Sequence, residues 1–282
     1  FKQKTAYEIK ECDWSSDVCS SDLVGKLDVL GIPASPVCDD GTFLRRVYID
    51  ITGTLPTEAE DAEFLASKDP AKRAKVIDKL LDSPAYADYF ANKWNLVLRN
   101  KRRNNDALAP TYAFHNWIWS SLYENKPYDQ FVREILTASG NADDNPPVAW
   151  YREVDQPNEQ VEDVSQLFLG LRIQCARCHH HPFEKWSQDD YYALAAFFAQ
   201  VGRKPSGTRG EDLIFHKRGM AEATNIKTKS ALRPAALGDK VPAIAPDEDP
   251  RLRLADWMKS PSNPFFAKVL VNRYWKHFFQ RG

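Results

Sequence analysis

Apolar and polar residues alternate along the chain with the period of helices that bury one face. Across residues 24–103, apolar side chains recur every three or four positions, as in Phe43–Ile51, which ends before Gly53. Thr57 followed three positions later by Glu60 has the spacing of a helix capping box. No long segment alternates as a half-buried strand would. The pattern therefore predicts an all-α, irregular multi-helix fold of roughly eight to ten helices.

Later segments keep the helical period, with aromatic residues on the predicted buried faces. One such helix is predicted for residues 191–201, and it ends at Gly202, a residue type common after helix C-termini. The residues on its buried side are expected to lie beside any cofactor held by the segment that precedes it. These residues are Tyr191, Leu194, Ala195, Phe198 and Val201.

The composition changes at residues 203–248, where Lys, Gly, Pro and Ala dominate and apolar periodicity fades. This segment is predicted to be a linker or loop-rich excursion, with one short hairpin between Ile214-Phe215 and Asn225-Ile226. Helical patterning returns at residues 249–282, where Asp249-Pro250 marks a helix start.

Residues 1–23 do not share this patterning. They resemble the translation of a short-read sequencing adapter, so we expect them to be non-native and exclude them from fold reasoning. The predicted organisation is then a helical domain at 24–202, the excursion at 203–248, and the truncated start of a following helical domain at 249–282. The native N-terminus is expected to be missing, so a signal peptide is not observable.

Composition narrows the possible partners. The formal net charge is −1, which argues against a nucleic-acid or anionic-membrane partner. No apolar run approaches the length of a membrane span. The basic run Arg99–Arg103 suits a helix C-terminus, and a docking patch for an acidic redox partner is the alternative.

The most informative stretch contains Cys175, Cys178 and His179, a C-x-x-C-H pattern. This is the spacing by which a haem is attached covalently, because both thiols reach the porphyrin edge and the adjacent histidine ligates the iron. Three of the six histidines, at positions 179–181, are consecutive here. The candidate sixth iron ligands are Met220, His181, His216 and His277.

Other interpretations of the same residues remain open. Cys175 and Cys178 can bind zinc together with two of the three histidines His179, His181 and His216. A thioredoxin-like redox pair is disfavoured because no βαβ pattern surrounds the cysteines.

Several segments, in order, resemble the second domain of the planctomycete-type cytochrome c family, which is formally a domain of unknown function. They are Phe43–Asp50, Thr52–Thr57, Val164–Gly170, Cys175–Trp186 and Asp190–Tyr192. Asn263–Ala267 and Val271–Phe279 resemble the opening of the domain that usually follows. The resemblance implies a large, modular, exported protein, and the family pattern also contains the pair His181-Pro182.

The predicted function is therefore a haem-c-binding, cytochrome-like module for electron transfer outside the cytoplasm, in the periplasm or at the cell surface. Its expected partners are a redox protein or other domains of the full-length chain. The alternative is a zinc- or other metal-stapled interaction module without redox activity. A catalytic role is weaker, because Asp189 and Asp190 are explained as helix-capping carboxylates and no phosphate loop or nucleophile elbow occurs.

Overall fold

A computed structural model describes residues 25–33, 36–102, 108–207, 211–239 and 244–281. The prediction for residues 1–23 lies outside these ranges. The described chain is mostly helical, as predicted, and it adds two small two-stranded antiparallel sheets. The helices are α1 Asp40–Thr52, α2 Glu58–Ala66, α3 Lys72–Leu81, α4 Pro84–Val97, α5 Leu108–Tyr123, α6 Tyr128–Leu136, α7 Pro157–Val164, α8 Gln188–Ala195, α9 Pro250–Lys259 and α10 Phe266–Phe279.

Shorter elements connect these helices. There are 3₁₀ turns at Pro146–Arg152, Ile173–Arg177 and Ala196–Phe198, and a π-helical turn at Ser165–Leu169. The strands are β1 Val201–Pro205, β2 Asp212–His216, β3 Ala223–Thr224 and β4 Ala231–Leu232, paired β1 with β2 and β3 with β4. No helix among the described residues has the length and apolar character needed to cross a membrane.

The chain forms two compact units, and the first comprises residues 1–90 and 122–127. Its described part contains α1, α2, α3 and the first residues of α4, up to Phe90. The capping box predicted for Thr57 and Glu60 is present, since each side chain accepts from the backbone N–H of the other. Asp40 at the start of α1 pairs with Lys72 at 2.6 Å and with Arg73 at 2.7 Å, which ties α1 to α3.

The second unit comprises residues 91–121 and 128–282 and contains the cysteine motif. Its core is rich in aromatic side chains, and α9 packs against α6 within it. The largest fully buried side chains here include Trp150, Tyr151, Tyr191, Phe114, Phe131, Phe168, Phe197 and Phe198. Helix α8 and the 3₁₀ turn after it therefore contribute Tyr191, Phe197 and Phe198 to a well-filled core.

The predicted helix over residues 191–201 is wrong at its C-terminal end. α8 stops at Ala195, and Gly202 lies inside strand β1, opposite Phe215 of β2. A Cβ atom at Gly202 would lie 2.5 Å from the ring of Phe215, so the close approach of that ring requires glycine. The glycine marks a tight strand pairing and not a helix end.

The predicted hairpin was also wrong in its pairing. Ile214 and Phe215 belong to β2, which pairs with β1. Asn225 lies in the turn between β3 and β4, where its side-chain carbonyl accepts from the backbone N–H of Lys227 at 2.9 Å. A side-chain turn of this kind is local. The partner of β2 is likewise close in sequence: it is β1, the preceding strand, joined to β2 by residues 206–211.

Candidate functional site

The cysteine motif lies on the short 3₁₀ turn Ile173–Arg177. Gly170, with φ of +70°, ends the preceding π-helical turn, and a Cβ there would lie 2.6 Å from Val269. Ile173 and Ala176 are fully buried and anchor the turn. Between them, Gln174 is half-buried and Cys175 is exposed. The turn therefore holds the motif on the protein surface.

Both cysteines of the motif are exposed free thiols. The carbonyl oxygen of Cys175 accepts from the backbone N–H groups of both Cys178 and His179, at 3.3 Å each. These two hydrogen bonds form a turn that carries both thiols and the following histidine in one short segment. The predicted grouping of Cys175, Cys178 and His179 is thus present as a local unit of exposed side chains.

The ring of His179 has one nitrogen engaged and one available. Its Nδ1 lies 2.7 Å from the backbone carbonyl oxygen of His180. A carbonyl oxygen can only accept, so this contact requires the proton on Nδ1 and leaves the Nε2 lone pair free. Histidines that bind metals through Nε2 are commonly held in this way by a backbone carbonyl.

His181 has the opposite arrangement, and both of its ring nitrogens are occupied. Its Nδ1 accepts from the backbone N–H of Glu184 at 2.9 Å, and its Nε2 lies 3.1 Å from the carbonyl oxygen of Arg172. Because an N–H only donates, His181 carries its proton on Nε2. The imidazole ring thus links the backbone of Arg172 to that of Glu184 across the loop. A metal bond to His181 would have to replace one of these hydrogen bonds.

Two side chains of helix α8 donate hydrogen bonds to the backbone of the motif. The side chain of Gln188 donates to the carbonyl oxygen of Arg177 at 3.0 Å, and the hydroxyl of Tyr192 donates to the same oxygen at 3.2 Å. Burial raises the pKa of Tyr192, which keeps its hydroxyl in the donating form. Ser187 and Asp190 form the capping box of this helix. Asp190 acts as a cap, as the sequence predicts, whereas Asp189 accepts a hydrogen bond from the side-chain amide of Asn225 at 2.7 Å.

The aromatic residues near the motif differ in accessibility. Phe183 is 93% exposed, whereas Trp186 is buried and its ring packs against Phe265 with centroids 6.1 Å apart. The predicted cofactor-facing side of α8 is also buried: Tyr191 and Leu194 are almost completely inaccessible and belong to the core. An apolar surface for a bound group is therefore available at Phe183, and not at α8.

The more distant predicted ligands lie on separate elements. His216 ends β2, is half-buried, and has an Nε2 without a hydrogen-bond partner. Met220 is 44% exposed. His277 lies on α10, where its ring contacts that of Phe278. Within the described ranges, no three His, Cys, Asp or Glu side chains are grouped closely enough to hold a metal ion. His216 is thus not brought into a metal-binding set with Cys175 and Cys178.

Sequence reasoning missed a polar cavity next to the motif. Gln174, the residue before Cys175, lines a cavity of about 120 Å³ together with Arg99, Glu153, Glu159, Glu162 and Asp163. Arg99 pairs with the buried Asp163 at 2.7 Å, and burial raises the pKa of that carboxyl although Arg99 opposes the shift.

Two residues of the basic run that follows α4, Arg99 and Lys101, contact carboxylates that line this cavity. Lys101 pairs with Glu153 at 3.6 Å, so both Lys101 and Arg99 contact carboxylates of the same unit. The sequence carries no signal of these pairings, because Asp163 and Glu153 lie 64 and 52 positions after Arg99 and Lys101.

Comparison with family models gives two matches. Residues 250–282 match the model named PSD1, a protein of unknown function (DUF1553). Residues 22–203 match the model named PSCyt2, a protein of unknown function (DUF1549). No curated protein and no solved structure matched the chain. The two family matches are consistent with a planctomycete cytochrome-c-related pair of domains. Since the first match covers most of the sequence, the chain belongs to the PSCyt2 family (DUF1549).

Proposed function

We propose that Cys175 and Cys178 attach a haem c covalently and that His179 is its proximal ligand. The chain would then be an electron-transfer module of a larger exported protein. One observation carries the proposal: a single exposed turn presents both thiols beside a histidine whose Nε2 lone pair is free.

The residues present fit the attachment chemistry. Exposed thiols are accessible for thioether bonds to the porphyrin vinyl groups, and the carbonyl of His180 orients the ring of His179. The exposed ring of Phe183 offers apolar contact area next to the same loop. A haem bound here supplies reversible one-electron chemistry at its iron. This chain's residues anchor it and orient its proximal ligand.

The hydrogen bonds made by the ring of His181 favour haem over zinc. A zinc site built on Cys175 and Cys178 needs two further ligands, and His181 was a leading candidate. Both of its ring nitrogens are already hydrogen-bonded to the backbone of its own loop. Covalent attachment and proximal ligation of a haem need His179 alone from the histidine cluster, and they leave the hydrogen bonds of His181 intact. Zinc binding remains the alternative outcome of the test below.

The sixth iron ligand is proposed to come from the predicted set of His216, Met220, His181 and His277. His216 is not favoured within that set, because its Nε2 is buried and His216 is not grouped with the two cysteines. Covalent haem attachment also places the protein outside the cytoplasm, in the periplasm or at the cell surface. The partners are then a redox protein or neighbouring domains of the same full-length chain.

The test is to produce the chain in an exporting host with a haem-c maturation system and to record an alkaline pyridine haemochrome spectrum. Zinc is quantified on the same sample. We expect a haemochrome band that survives denaturation and is lost when Cys175→Ala and Cys178→Ala are combined. A colourless protein with one zinc ion per chain would overturn the haem assignment and establish the metal-stapled module.

A pair of single variants tests the role of the proximal histidine. His179→Ala should alter the visible spectrum of the native protein, because the proximal nitrogen is removed. His180→Ala is the matched control, since the ring of His180 is exposed and its contribution to His179 is a backbone carbonyl that alanine retains.

A further inference from the structure

Glu211 has a buried carboxyl group, and neither of its oxygens has a hydrogen-bond partner among the described residues. The residue is only 6% exposed and comes directly before β2, in the second unit. Its backbone carbonyl accepts from the N–H of Ser206 at 3.1 Å, which fixes Glu211 next to the end of β1. A carboxylate that is removed from water without new hydrogen bonds is strongly disfavoured, so this position favours the neutral acid.

The carboxyl group of Glu211 borders a small cavity beside the β1–β2 hairpin. The cavity measures about 10 Å³, which is space for about one water molecule. Its apolar walls are formed by Pro110, Ala142, Val148, Ala149 and Ile214. A carboxylate accepts about four hydrogen bonds, and a space of this size cannot supply them through water. The ionised form of Glu211 is therefore poorly solvated in the cavity.

Four charged side chains lie around Glu211, and they come from the elements that pack against it. Arg203 of β1 pairs with Asp212 of β2 at 2.8 Å, so these two charges largely cancel. The guanidinium of Arg152 is hydrogen-bonded to a hydroxyl of α5 and to a carbonyl of its own 3₁₀ turn. Asp143, in the loop before that turn, repels an ionised Glu211. Neither arginine donates a hydrogen bond to Glu211.

These surroundings bind the proton of Glu211 more tightly in the folded chain than in the unfolded chain. Burial raises the pKa of Glu211 above its ordinary value of 4.5, and the charge of Asp143 adds to the rise. The nearby N–H of Ala142 and the guanidinium of Arg152 oppose it only in part. Because the folded pKa is the higher one, the stabilisation from neutral Glu211 is complete below pH 4.5 and is lost as the pH rises through the folded pKa.

The part of the fold that depends on this carboxyl group is the packing of β2 against the loop before the 3₁₀ turn. Gly140 of that loop and Ile214 of β2 exchange two backbone hydrogen bonds, at 2.7 Å and 2.9 Å. Ile214 lines the same cavity as Glu211, only three positions further along the chain. A movement of the Glu211 side chain into solvent therefore displaces the start of β2 next to these two bonds.

We propose that Glu211 is a pH-dependent switch of the β1–β2 hairpin. The neutral carboxyl group stays in the cavity, and β2 remains bonded to the loop at Gly140. The ionised carboxylate moves out of the cavity into solvent, and the two bonds between Gly140 and Ile214 open more often. No residue of this switch belongs to the cysteine motif, so the outcome of the haem test does not decide it.

The ionisation of Glu211 is measured directly on the full chain by NMR. The side-chain carboxyl carbon is assigned through the backbone of Glu211 and Asp212, and its chemical shift is followed from about pH 3 to about pH 9. We expect a titration midpoint above 4.5, the ordinary value for this side chain. A midpoint at or below 4.5 would overturn the proposal. This measurement needs no variant.

Hydrogen exchange at the amides of Gly140 and Ile214 measures the opening of the hairpin. After correction for the intrinsic exchange rate, we expect the protection of both amides to fall as the pH rises. The fall should be about tenfold for each unit by which the folded pKa of Glu211 exceeds its ordinary value. In Glu211→Gln this fall should be absent, because the glutamine amide stays neutral. The same pH dependence in the parent and in Glu211→Gln would refute the switch.

Two further variants test the surroundings assigned to Glu211. Asp143→Asn should lower the titration midpoint of Glu211, because a repelling charge is removed. Glu222→Gln is the control, since Glu222 is an exposed carboxylate beyond the hairpin that pairs with Arg233 at 3.7 Å. This control should keep the pH dependence of the parent. Loss of that dependence in Glu222→Gln would assign the titration to a different carboxylate and overturn the proposal.

Discussion

The Nη1 of Arg251 donates a 2.8 Å hydrogen bond to the hydroxyl oxygen of Tyr151, and both side chains are fully buried. Burial raises the pKa of Tyr151, so its hydroxyl stays protonated and donates in turn to the carbonyl of Leu136. The carboxylate of Asp249 balances the guanidinium charge at 2.7 Å. Arg251 lies in the PSD1 match and Tyr151 in the PSCyt2 match, so residues from the two matched segments share one core in the second unit.

Substitution of Arg251 by methionine should destabilise the second unit. The change removes hydrogen bonds to Tyr151 and to the carbonyl of Ala138, and it leaves the Asp249 carboxylate without its partner. Breaking a buried charge pair of this kind costs about 3–5 kcal/mol. The free energy of unfolding is measured by urea denaturation followed by circular dichroism.

The control for this substitution is Arg253→Met, two positions further along α9. Arg253 is partly exposed and pairs with Glu248 at 2.6 Å. An exposed ion pair contributes about 0–1 kcal/mol, so the free energy of unfolding of this variant should be close to that of the parent protein. Equal decreases in the free energy of unfolding for Arg251→Met and Arg253→Met would contradict the assigned role of the buried guanidinium.

Gly202→Val should destabilise the β1–β2 hairpin. A Cβ at this position meets the ring of Phe215 at 2.5 Å, so the ring must be displaced from its place over β1. Overpacking of this kind costs about 1–3 kcal/mol. Gly207→Val is the matched control, because a Cβ there has no atom within 4 Å. The melting temperature should fall more in Gly202→Val than in Gly207→Val. A larger fall in Gly207→Val would rule out the packing explanation.

His181→Ala should loosen the loop that follows the cysteines. The imidazole accepts from the N–H of Glu184 and donates to the carbonyl of Arg172, and alanine can do neither. Loss of a hydrogen bond in an exposed loop of this kind costs about 0.5–1.5 kcal/mol. Hydrogen exchange at the amide of Glu184 should accelerate in this variant. In the control His180→Ala it should be unchanged, because the imidazole of His180 is exposed.

The first unit should lose stability in acid through Glu60. The backbone N–H of Thr57 and the hydroxyl of Tyr48 donate to this carboxylate and lower its pKa from 4.5 to about 2. Because the folded pKa is the lower one, ionised Glu60 stabilises the fold above pH 4.5, and this contribution is lost as the pH falls towards 2.

Glu60→Gln tests this dependence because glutamine can keep the capping box while removing the titration. The melting temperature of the parent should fall more steeply between pH 5 and pH 2 than that of the variant. Glu58→Gln, an exposed change in the same helical turn, should retain the steep dependence of the parent. Parallel curves for the parent and Glu60→Gln would exclude Glu60 as the source.

Features that depend on a few neighbouring residues were predictable from the sequence. The capping boxes of Thr57 with Glu60 and Ser187 with Asp190 are present because each involves side chains and N–H groups three positions apart. The C-x-x-C-H motif was recognised for the same reason, since its spacing lies within one turn. The helical period likewise indicated the mostly helical fold, because burial of one face depends on local repetition.

Features that join distant parts of the chain were decided by the tertiary structure alone. The ion pair of Arg99 with Asp163 and the bond from Arg251 to Tyr151 connect residues far apart in sequence. The same is true of the proton position on His181, which depends on the carbonyl of Arg172 nine residues before it. A residue's type sets which bonds it can make, whereas the packing of the elements determines which partner comes within reach.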